Sequence, residues 1–412
     1  MPQTMIEKIL ARHTGDEVEP GRVIWLDLDV RTARDFGGAN VVKHLEREYP
    51  EDPVADPART FFTFDCVVPA NTIPYANNQQ ICREFARRHG IRVFDVDMGI
   101  GSHVVIEQGL AVPGCTLVGT DSHLNILGAV GAFGQGMGDQ DIAFTFKTGK
   151  TWFEVPRSIR VRVKGRLDEP LSAKDLNLAI LGQIGSTGGL GHSMEFYGEA
   201  IEGLSLAGRI TLASMATEMG AVVALIPPGE EVAEYCGKRA GRRVEPVVAD
   251  EDAEYAEEID VDIRGLRPLV ARPGAPHDVV EAASVKGVRI DSAFFGSCTN
   301  GRLEDFEVAA SILEGRRVAP HVMAKVVPAT REVYGQLLGR GLLEMFYDAG
   351  VIVSNPGCGG CASGQIGMTG RGEVQISTSN RNFRGKQGAG DTYLASPATV
   401  AASALAGEIA SP

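Results

Sequence analysis

Three cysteines carry the sharpest chemical signal in the sequence. Cys358-Gly-Gly-Cys361 is a C-x-x-C pair flanked by glycines, and Cys298 stands 60 positions before it. Cys298 and Cys358 both follow predicted strands, and open α/β sheets bind ligands at the carboxyl ends of their strands. We therefore expect the three thiols to converge on one site. Three thiolates are one fewer than a structural zinc or an all-cysteine iron-sulfur cluster takes, so one coordination position would stay open for a substrate.

The spacing of these cysteines leaves simpler interpretations open. A C-x-x-C pair by itself is typical of half of a zinc site or of a redox pair. A cysteine that follows a buried strand, as Cys298 does, can be a small buried hydrophobic residue. Spacing alone does not decide between these interpretations and a three-thiol metal site.

Composition and charge exclude several classes of protein. The 412 residues carry 40 Lys and Arg against 53 Asp and Glu, a net charge of −13. Such a chain lacks the basic surface of a nonspecific nucleic-acid binder, so we expect no nucleic-acid partner. The absence of an 18-residue apolar run and of a signal-peptide pattern predicts a cytoplasmic protein without a membrane span. Seven cysteines, an odd number, argue against a disulfide framework.

Alternating strand-like and helix-like segments predict an α/β fold with largely parallel sheets. In the first third of the chain, residues 22–30 and 61–68 are predicted strands. The alternation of apolar and polar residues over 158–164 predicts a strand with one solvated face. A helix is predicted over 208–219.

The last third of the chain has the β-α-β-α-β order of a doubly wound domain. The predicted strands are 289–295, 323–327 and 351–354, and the predicted helices between them are 303–313 and 331–345. Cys298 and Cys358 follow the first and last of these strands.

We predict three α/β domains from this organisation. Their bounds are 1–170, 171–275 and 276–412. The second boundary falls in a charged stretch with prolines, at about residues 250–276, where loop chemistry dominates.

Five ordered motifs resemble those of the aconitase superfamily. They are Gly119-Thr-Asp-Ser-His123, Gly296-Ser-Cys-Thr-Asn300, Asn355-Pro-Gly-Cys-Gly-Gly-Cys361, Ser377-Thr-Ser-Asn-Arg-Asn-Phe-Arg-Gly385 and Tyr393-Leu-Ala-Ser-Pro397. The match covers nearly the whole chain and is most similar to the large subunits of 3-isopropylmalate dehydratases and homoaconitases. The resemblance implies three α/β/α domains around a cleft. It also implies a hydro-lyase that dehydrates or isomerises a small 2- or 3-hydroxy di- or tricarboxylic acid.

The resemblance implies a cofactor and its ligands. Cys298, Cys358 and Cys361 match the residues that hold a 4Fe-4S cluster, whose fourth iron has no protein ligand. Such an iron acts as a Lewis acid on the hydroxyl and one carboxylate of the substrate, so that water can leave. Arg381 matches the arginine that binds a substrate carboxylate, and Asn380 is its neighbour on the cluster side.

Three further polar residues match the family by motif position. His123 matches an active-site histidine, and Asp139, at the end of Gly134-Gln-Gly-Met-Gly-Asp139, matches an acidic residue that orients the site. Glu218 lies on a predicted helix whose family counterpart brings a carboxylate to the iron-bound water. Buried carboxylates can be tuned for proton transfer. Taken without the family, each residue could equally be a helix cap or a satisfied core residue.

Two departures from the family pattern concern histidines. Where the family has an Asp-His pair, this chain has Asp65-Cys66, so a cysteine replaces the histidine thought to assist the leaving hydroxyl. A second family histidine aligns with Ser102, and His103 follows one place later.

Two more departures concern the expected substrate contacts. Ser214 stands where an asparagine near the cluster is expected, and Lys386 replaces an arginine. Lysine keeps the charge but loses the forked geometry that matches a carboxylate. The departures favour a divergent member with another hydroxy-acid substrate or a modified mechanism. Alternatively, Cys66 is a fourth thiol that closes the cluster, or the site holds zinc, and the chain is a non-catalytic or regulatory metal-thiolate protein.

The resemblance also implies a partner. Full-length members of the family have a fourth, swivelling domain that supplies the serine base and more substrate contacts. The motif at Pro397 lies too near Pro412 for such a domain to follow it. We therefore expect a separate small subunit that carries the swivelling domain, and little activity from this chain alone.

Overall fold

The structure is a computed structural model that describes residues 2–361 and 365–412. Helices and strands alternate through these residues, as the sequence predicts, and most strand pairs are parallel. None of the helices found in these two ranges has the length and apolar character needed to cross a membrane.

The strands of the described residues are short and belong to four sheets. They are β1 (Val23–Asp27), β2 (Val30–Arg34), β3 (Thr60–Thr63), β4 (Arg92–Phe94), β5 (Thr116–Gly119), β6 (Phe133–Gly136), β7 (Lys150–Glu154), β8 (Ser158–Lys164), β9 (Ser193–Tyr197), β10 (Val223–Leu225), β11 (Glu257–Asp262), β12 (Leu269–Ala271), β13 (Val279–Glu281), β14 (Ser292–Gly296), β15 (Met323–Val327), β16 (Ile352–Val353), β17 (Val374–Ser377) and β18 (Asp391–Ala395).

Helices cover the faces of the larger sheets. They are α1 (Met5–Ala11), α2 (Gly38–Glu48), α3 (Ile73–His89), α4 (Gly101–Glu107), α5 (Asp139–Thr148), α6 (Ala173–Ile184), α7 (Glu199–Glu202), α8 (Leu206–Ser214), α9 (Glu230–Ala240), α10 (Leu303–Leu313), α11 (Arg331–Gly339), α12 (Leu342–Asp348) and α13 (Pro397–Ala406). Short 3₁₀ helices, such as Leu124–Val130 and Met215–Met219, connect several of them.

The first sheet brings three strand ends to one edge. Its order is β4-β3-β2-β5-β6, and every pair is parallel. The central strands are buried along nearly their whole length, as expected when both faces of a parallel sheet are covered. Because the strands run in the same direction, the residues that follow Arg34, Thr63 and Gly119 meet at the same edge.

The second sheet has the order β10-β9-β8-β11 and is also parallel. Strand β8 spans Ser158–Lys164, which confirms the strand predicted from the alternating pattern. The 3₁₀ helix Leu124–Val130 packs on β10, and the Ile226 N–H donates to the Gly128 carbonyl at 3.0 Å. This contact joins the first two sheets.

The third sheet confirms the β-α-β-α-β prediction. Its order is β13-β12-β18-β17-β14-β15-β16, and strands β14, β15 and β16 are parallel neighbours. Helix α10 has the predicted bounds, Leu303–Leu313. The chain therefore leaves β14 and β16 at the same edge of the sheet, and this edge carries the loops of Cys298 and Cys358.

Two strand predictions were wrong in extent. Residues 22–30 form no single strand, because β1 pairs antiparallel with β7 while β2 enters the first sheet. The strand predicted over 61–68 ends at Thr63. Its continuation turns away because the backbone N–H groups of residues 65–67 donate to the buried Asp35 carboxylate, at 3.0–3.2 Å.

Two helix predictions were also wrong in extent. The helix predicted over 208–219 is α8 followed by the 3₁₀ helix Met215–Met219. The helix predicted over 331–345 is divided into α11 and α12. In each case apolar periodicity continues through the break, so the pattern alone does not reveal it.

The three domain bounds stay a prediction. Strand β8, inside the range 1–170, pairs with β9 and β11 from the range 171–275. Strand β12 belongs to that second range but pairs with β18 in the third sheet.

Substitution of Gly128 tests the contact between the first two sheets. A Cβ at this position would overlap the backbone carbonyl of Ala224, which cannot move without displacing β10. We expect Gly128→Ala to lower the free energy of unfolding by about 3 kcal/mol through overpacking. Chemical denaturation followed by circular dichroism measures the change.

Gly335→Ala is the matched control. Gly335 is an exposed residue within α11, and a Cβ there meets no atom within 4 Å. The control should stabilise the protein by about 0.5–1 kcal/mol, because glycine disfavours a helix interior. Equal unfolding free energies for the two variants would contradict the assigned contact.

Candidate functional site

A cavity of about 750 Å³ lies between the carboxyl edges of the first and third sheets. Its lining includes seven of the residues singled out from the sequence: Cys66, His123, Cys298, Cys358, Cys361, Arg381 and Lys386. These residues come from loops that are up to 320 positions apart in sequence. Strand direction gathers the loops at one edge of each sheet, and the two edges face the same cavity.

The three predicted ligand cysteines all reach this cavity. Cys298 stands two residues after β14, and Ser297 before it has a left-handed φ of 81°. A positive φ is costly for serine and persists where the surrounding structure enforces it. Cys358 precedes a single 3₁₀ turn after β16, Gly359–Cys361, and Cys361 ends it.

The distances between the thiols limit which metal group they can bind. Within the described residues, Asp65, Cys66 and Cys358 have donor atoms that all lie within 4.8 Å of one another, and the set Cys298, Cys358 and Cys361 is not so close. Thiolates on one zinc ion lie about 4 Å apart, given zinc-sulfur bonds of about 2.3 Å. The wider spacing of these three thiols fits a polynuclear iron-sulfur group better than a single zinc ion.

The C-x-x-C turn needs glycine for steric reasons. Gly359 has a φ of 59°, and a Cβ there would lie 2.7 Å from the Phe294 ring, on the strand that leads to Cys298. The turn therefore packs directly on β14. This close approach keeps the two halves of the thiol set next to each other.

Asn380 lies between two of the thiols. Its Nδ2 is 3.4 Å from the Cys298 Sγ, and its Oδ1 is 3.7 Å from the Cys361 Sγ. Lys174, fully buried, donates to the carbonyls of Thr378 and Ser379 just before it. Burial lowers the pKa of Lys174 to about 7. The lysine thus fixes the segment that presents Asn380 and the residue after it.

Glu218 joins two other predicted site residues. Its Oε1 accepts from Arg381 Nε at 2.7 Å and lies 3.1 Å from His123 Nε2. Burial raises the pKa of Glu218, but the bond and charge of His123 and the charge of Arg381 outweigh it, so the net pKa lies below the ordinary value. The carboxylate therefore orients an imidazole and a guanidinium at once.

His123 is neutral at pH 7. Burial lowers its pKa, and the charge of Arg381 lowers it further against the opposing effect of Glu218. A neutral ring that donates from Nε2 to Glu218 leaves Nδ1 to accept from Ser122 Oγ, 3.2 Å away. These partners select the tautomer.

Asp65 is fully buried behind the cavity wall. Its Oδ1 accepts from Arg34 Nε and its Oδ2 from the Gly101 N–H, each at 2.7 Å. Burial raises the pKa of Asp65 to about 6 against the opposing charge of Arg34. Cys66 lies on the cavity side, and its Sγ is 3.4 Å from Asp65 Oδ1. Its neighbour Cys358 and burial raise the pKa of the Cys66 thiol well above the ordinary value, so it is protonated.

The structure does not bring Ser214 or Asp139 into the described cavity wall. Ser214 Oγ is buried and bonds to the Thr211 carbonyl and to Thr299 Oγ1, each at 3.0 Å. The side chain supports the loop that carries Cys298 and Asn300. Asp139 begins α5 and accepts from Asn40 at 3.0 Å, beside Gly37 at the start of α2.

Ser102 and His103 also stay outside the lining. His103 is fully buried, and its Nε2 is 2.9 Å from the Cys298 carbonyl. Burial, with the Arg302 charge, lowers the pKa of His103 to about 3, so the neutral ring donates to that carbonyl. His103 therefore stabilises the Cys298 loop through this hydrogen bond, and it does not line the described cavity.

The sequence reasoning missed two charged residues of the cavity wall. Arg34 ends β2 and Asp121 follows β5, and their side chains form an ion pair of 2.8 Å. Asp121 lies within the Thr-Asp-Ser-His motif, so its position carried a signal. Arg34 had only the weaker signal of a charged residue at the carboxyl end of a buried strand.

Comparisons with known proteins agree with this geometry. The model of the aconitase family (aconitate hydratase) matches residues 7–287 and 281–407. The 3-isopropylmalate dehydratase large subunit 1 of Methanopyrus kandleri is 44% identical over 100% of this chain and 99% of its own length. The probable methanogen homoaconitase large subunit of Methanothermobacter thermautotrophicus is 43% identical over 99% of this chain and 97% of its own length.

A solved structure shares the fold. The holo form of Thermococcus kodakaraensis aconitase X superposes with a TM-score of 0.54 and 13% sequence identity, over 87% of this chain and 84% of that chain. At this identity the likeness concerns the fold alone. The family model and the full-length relatives carry the assignment, and on their evidence the chain belongs to the aconitase family.

Proposed function

We propose that this chain is the large subunit of an iron-sulfur hydro-lyase that dehydrates or isomerises a small hydroxy di- or tricarboxylic acid. The observation that carries the proposal is the convergence of three thiols with His123 and Arg381, both held by Glu218, on one cavity. The named relatives are dehydratases and homoaconitases, which does not favour a non-catalytic alternative.

Cys298, Cys358 and Cys361 are the residues that would hold a 4Fe-4S cluster. Members of the aconitase family generally depend on iron-sulfur groups. Soft thiolate ligands suit such a group, and the spacing of the three thiols supports it over a single zinc ion. When bound, a cluster with one open iron supplies Lewis-acid chemistry to a hydroxyl and a carboxylate.

Arg381 binds a substrate carboxylate in this proposal. Its Nε donates to Glu218, and among the described residues no hydrogen bond engages its terminal Nη groups. The Nη pair can therefore meet a carboxylate side by side. Lys386 adds a second positive charge to the wall, as a point charge rather than a fork.

Glu218 and His123 handle the hydroxyl side of the substrate. The Glu218 carboxylate holds the neutral imidazole of His123 in one orientation. Burial lowers the pKa of this ring, and its hydrogen bond to Glu218 sets the tautomer. A neutral imidazole in this tautomer presents Nδ1 as an acceptor, so it can accept a hydrogen bond from a hydroxyl without a prior change of charge.

The Asp65-Cys66 pair gives this site a different proton donor from the histidine of the family pattern. The Cys66 thiol lines the cavity, and Asp65 lies directly behind it. A protonated thiol at this position offers a weak S–H donor to a leaving hydroxyl. This change supports a divergent substrate or a modified step within the same reaction class.

A small subunit completes the enzyme in this proposal. The relatives with which the chain aligns over its full length are each named a large subunit. The cavity is not fully enclosed, so a second protein can close it over a substrate. The partner would carry the swivelling domain implied by the motif resemblance.

The ligand assignment is tested by removal of one thiol. We expect Cys298→Ala, purified without oxygen and reconstituted with iron and sulfide, to lose most of its bound iron and sulfide together. Elemental analysis and the visible absorption spectrum measure both. Cys236→Ala, which removes a buried thiol from α9, is the control and should keep the wild-type content. Normal iron and sulfide in Cys298→Ala would show that Cys298 is not a ligand.

The role of Glu218 is tested by Glu218→Gln. The amide keeps the shape but removes the charge that holds both His123 and Arg381, so kcat/KM should fall by about 100-fold or more, in line with the loss of a positioned acid-base group. Iron and sulfide content should stay unchanged. Glu234→Gln, at an exposed ion pair, is the control with wild-type kinetics. Unaltered kcat/KM in Glu218→Gln would remove this residue from the site.

The overall proposal is tested by reconstitution with a partner. The chain should convert 3-isopropylmalate or a related hydroxy di- or tricarboxylic acid only after addition of a small subunit encoded beside it. The absorbance of the unsaturated acid follows the reaction. Full activity of the chain alone would contradict the two-subunit arrangement. Inactivity of the reconstituted, iron-loaded pair on every hydroxy acid of this class would contradict the proposed reaction.

A further inference from the structure

Arg34 makes three polar contacts at one place, and each contact partner comes from a different part of the fold. Its Nε donates to Asp65 at 2.7 Å, and its Nη1 donates to Asp121 at 2.8 Å. Its Nη2 lies 2.7 Å from the Cys358 Sγ. The two carboxylates follow β3 and β5 of the first sheet, whereas Cys358 follows β16 of the third.

We propose that Arg34 is a positioning residue that reaches across the cavity from the first sheet and donates a charged N–H to the sulfur of Cys358. The inference rests on the proposed function, because it concerns a residue that we assign as a ligand. In this arrangement Arg34 influences the electron density at the Cys358 sulfur. The only sequence signal for this residue is its place at the carboxyl end of a buried strand.

The geometry explains how Arg34 is held in place. Its backbone N–H donates to Thr120 Oγ1 at 2.9 Å, and its side chain is only 13% exposed. Asp65 Oδ1 lies 2.7 Å from both Nε and Nη2, and Asp121 accepts from Nη1. The remaining N–H of Nη2 is directed at Cys358. A planar fork with fixed donors is suited to three acceptors in different directions, whereas a lysine ammonium is not.

A second contact between the same two elements supports the bridge. The Cys358 N–H donates to the Asp65 carbonyl at 2.9 Å. The main chain of Cys358 is thus docked on the Asp65 loop, and Arg34 fixes the sulfur of the same residue. Arg83, by contrast, forks onto a single partner, Asp95, outside the cavity.

The charge balance sets the direction of the effect. Arg34 contributes one positive charge beside two carboxylates and one thiolate ligand. Hydrogen bonds to cluster sulfurs and nearby positive charge both raise the reduction potential of an iron-sulfur group. Removal of Arg34 leaves Asp65 and Asp121 without their cation, so the potential should move to more negative values.

The experiment compares the reconstituted wild-type protein with Arg34→Lys and Arg34→Gln. Redox titration followed by electron paramagnetic resonance measures the potential and the spectrum of the bound iron-sulfur group. We expect the potential to decrease from wild type to Arg34→Lys to Arg34→Gln, and the spectrum of Arg34→Gln to change. Arg83→Gln is the matched control, and its potential should equal that of the wild type.

Each outcome separates this inference from the proposed function. Absence of iron and sulfide from the wild-type protein would overturn the proposed function and this inference with it. A bound group with the same potential and spectrum in all four proteins would overturn the inference about Arg34 alone. If Arg34→Gln fails to fold because two buried carboxylates lose their partner, Arg34→Lys keeps the charge and decides the question by its potential.

Discussion

Strand direction is the constraint on which the whole site depends. In a parallel sheet the carboxyl ends of all strands lie at one edge, so the loops after β2, β3 and β5 of the first sheet lie together. The same holds for the loops after β14 and β16 of the third sheet. The two edges face each other across one cavity, and distant segments meet there. The cavity exists because two parallel sheets present their carboxyl edges to each other, which is where open α/β folds bind ligands.

Buried charge imposes the second constraint. An ion taken out of water is costly unless partners surround it, and removal of one partner leaves the other uncompensated. The residues in and behind the cavity wall meet this demand with Glu218 between His123 and Arg381, and with Arg34 between two carboxylates. Lys174 meets it with backbone carbonyls. The same bonds that compensate these charges fix the side chains before any substrate arrives, which is the preorganisation that catalysis requires.

The departures from the family motifs fall into two groups in space. Cys66 and Lys386 line the cavity and alter what a substrate would contact. Ser102 and Ser214 are buried and do not line the cavity, and Ser214 bonds to Thr299 in the loop that carries Cys298. A chain more than 40% identical to dehydratase and homoaconitase large subunits thus keeps the framework of the site while it changes two surface groups. Changes of this kind alter specificity without altering the fold, since function resides in the site and the framework is shared.

The sequence by itself determined the elements with strong periodicity and the meeting of the thiols. Strand β8 and helix α10 have their predicted bounds, because each has a regular apolar pattern between clear breaks. The convergence of Cys298 with Cys358 followed from a β-α-β order, a local property of the chain. Only the tertiary structure decided that Asp35 ends β3, that Asp139 lies beside Asn40, and that Arg34 reaches Cys358. These features depend on side-chain contacts between residues far apart in sequence, and no local pattern encodes such contacts.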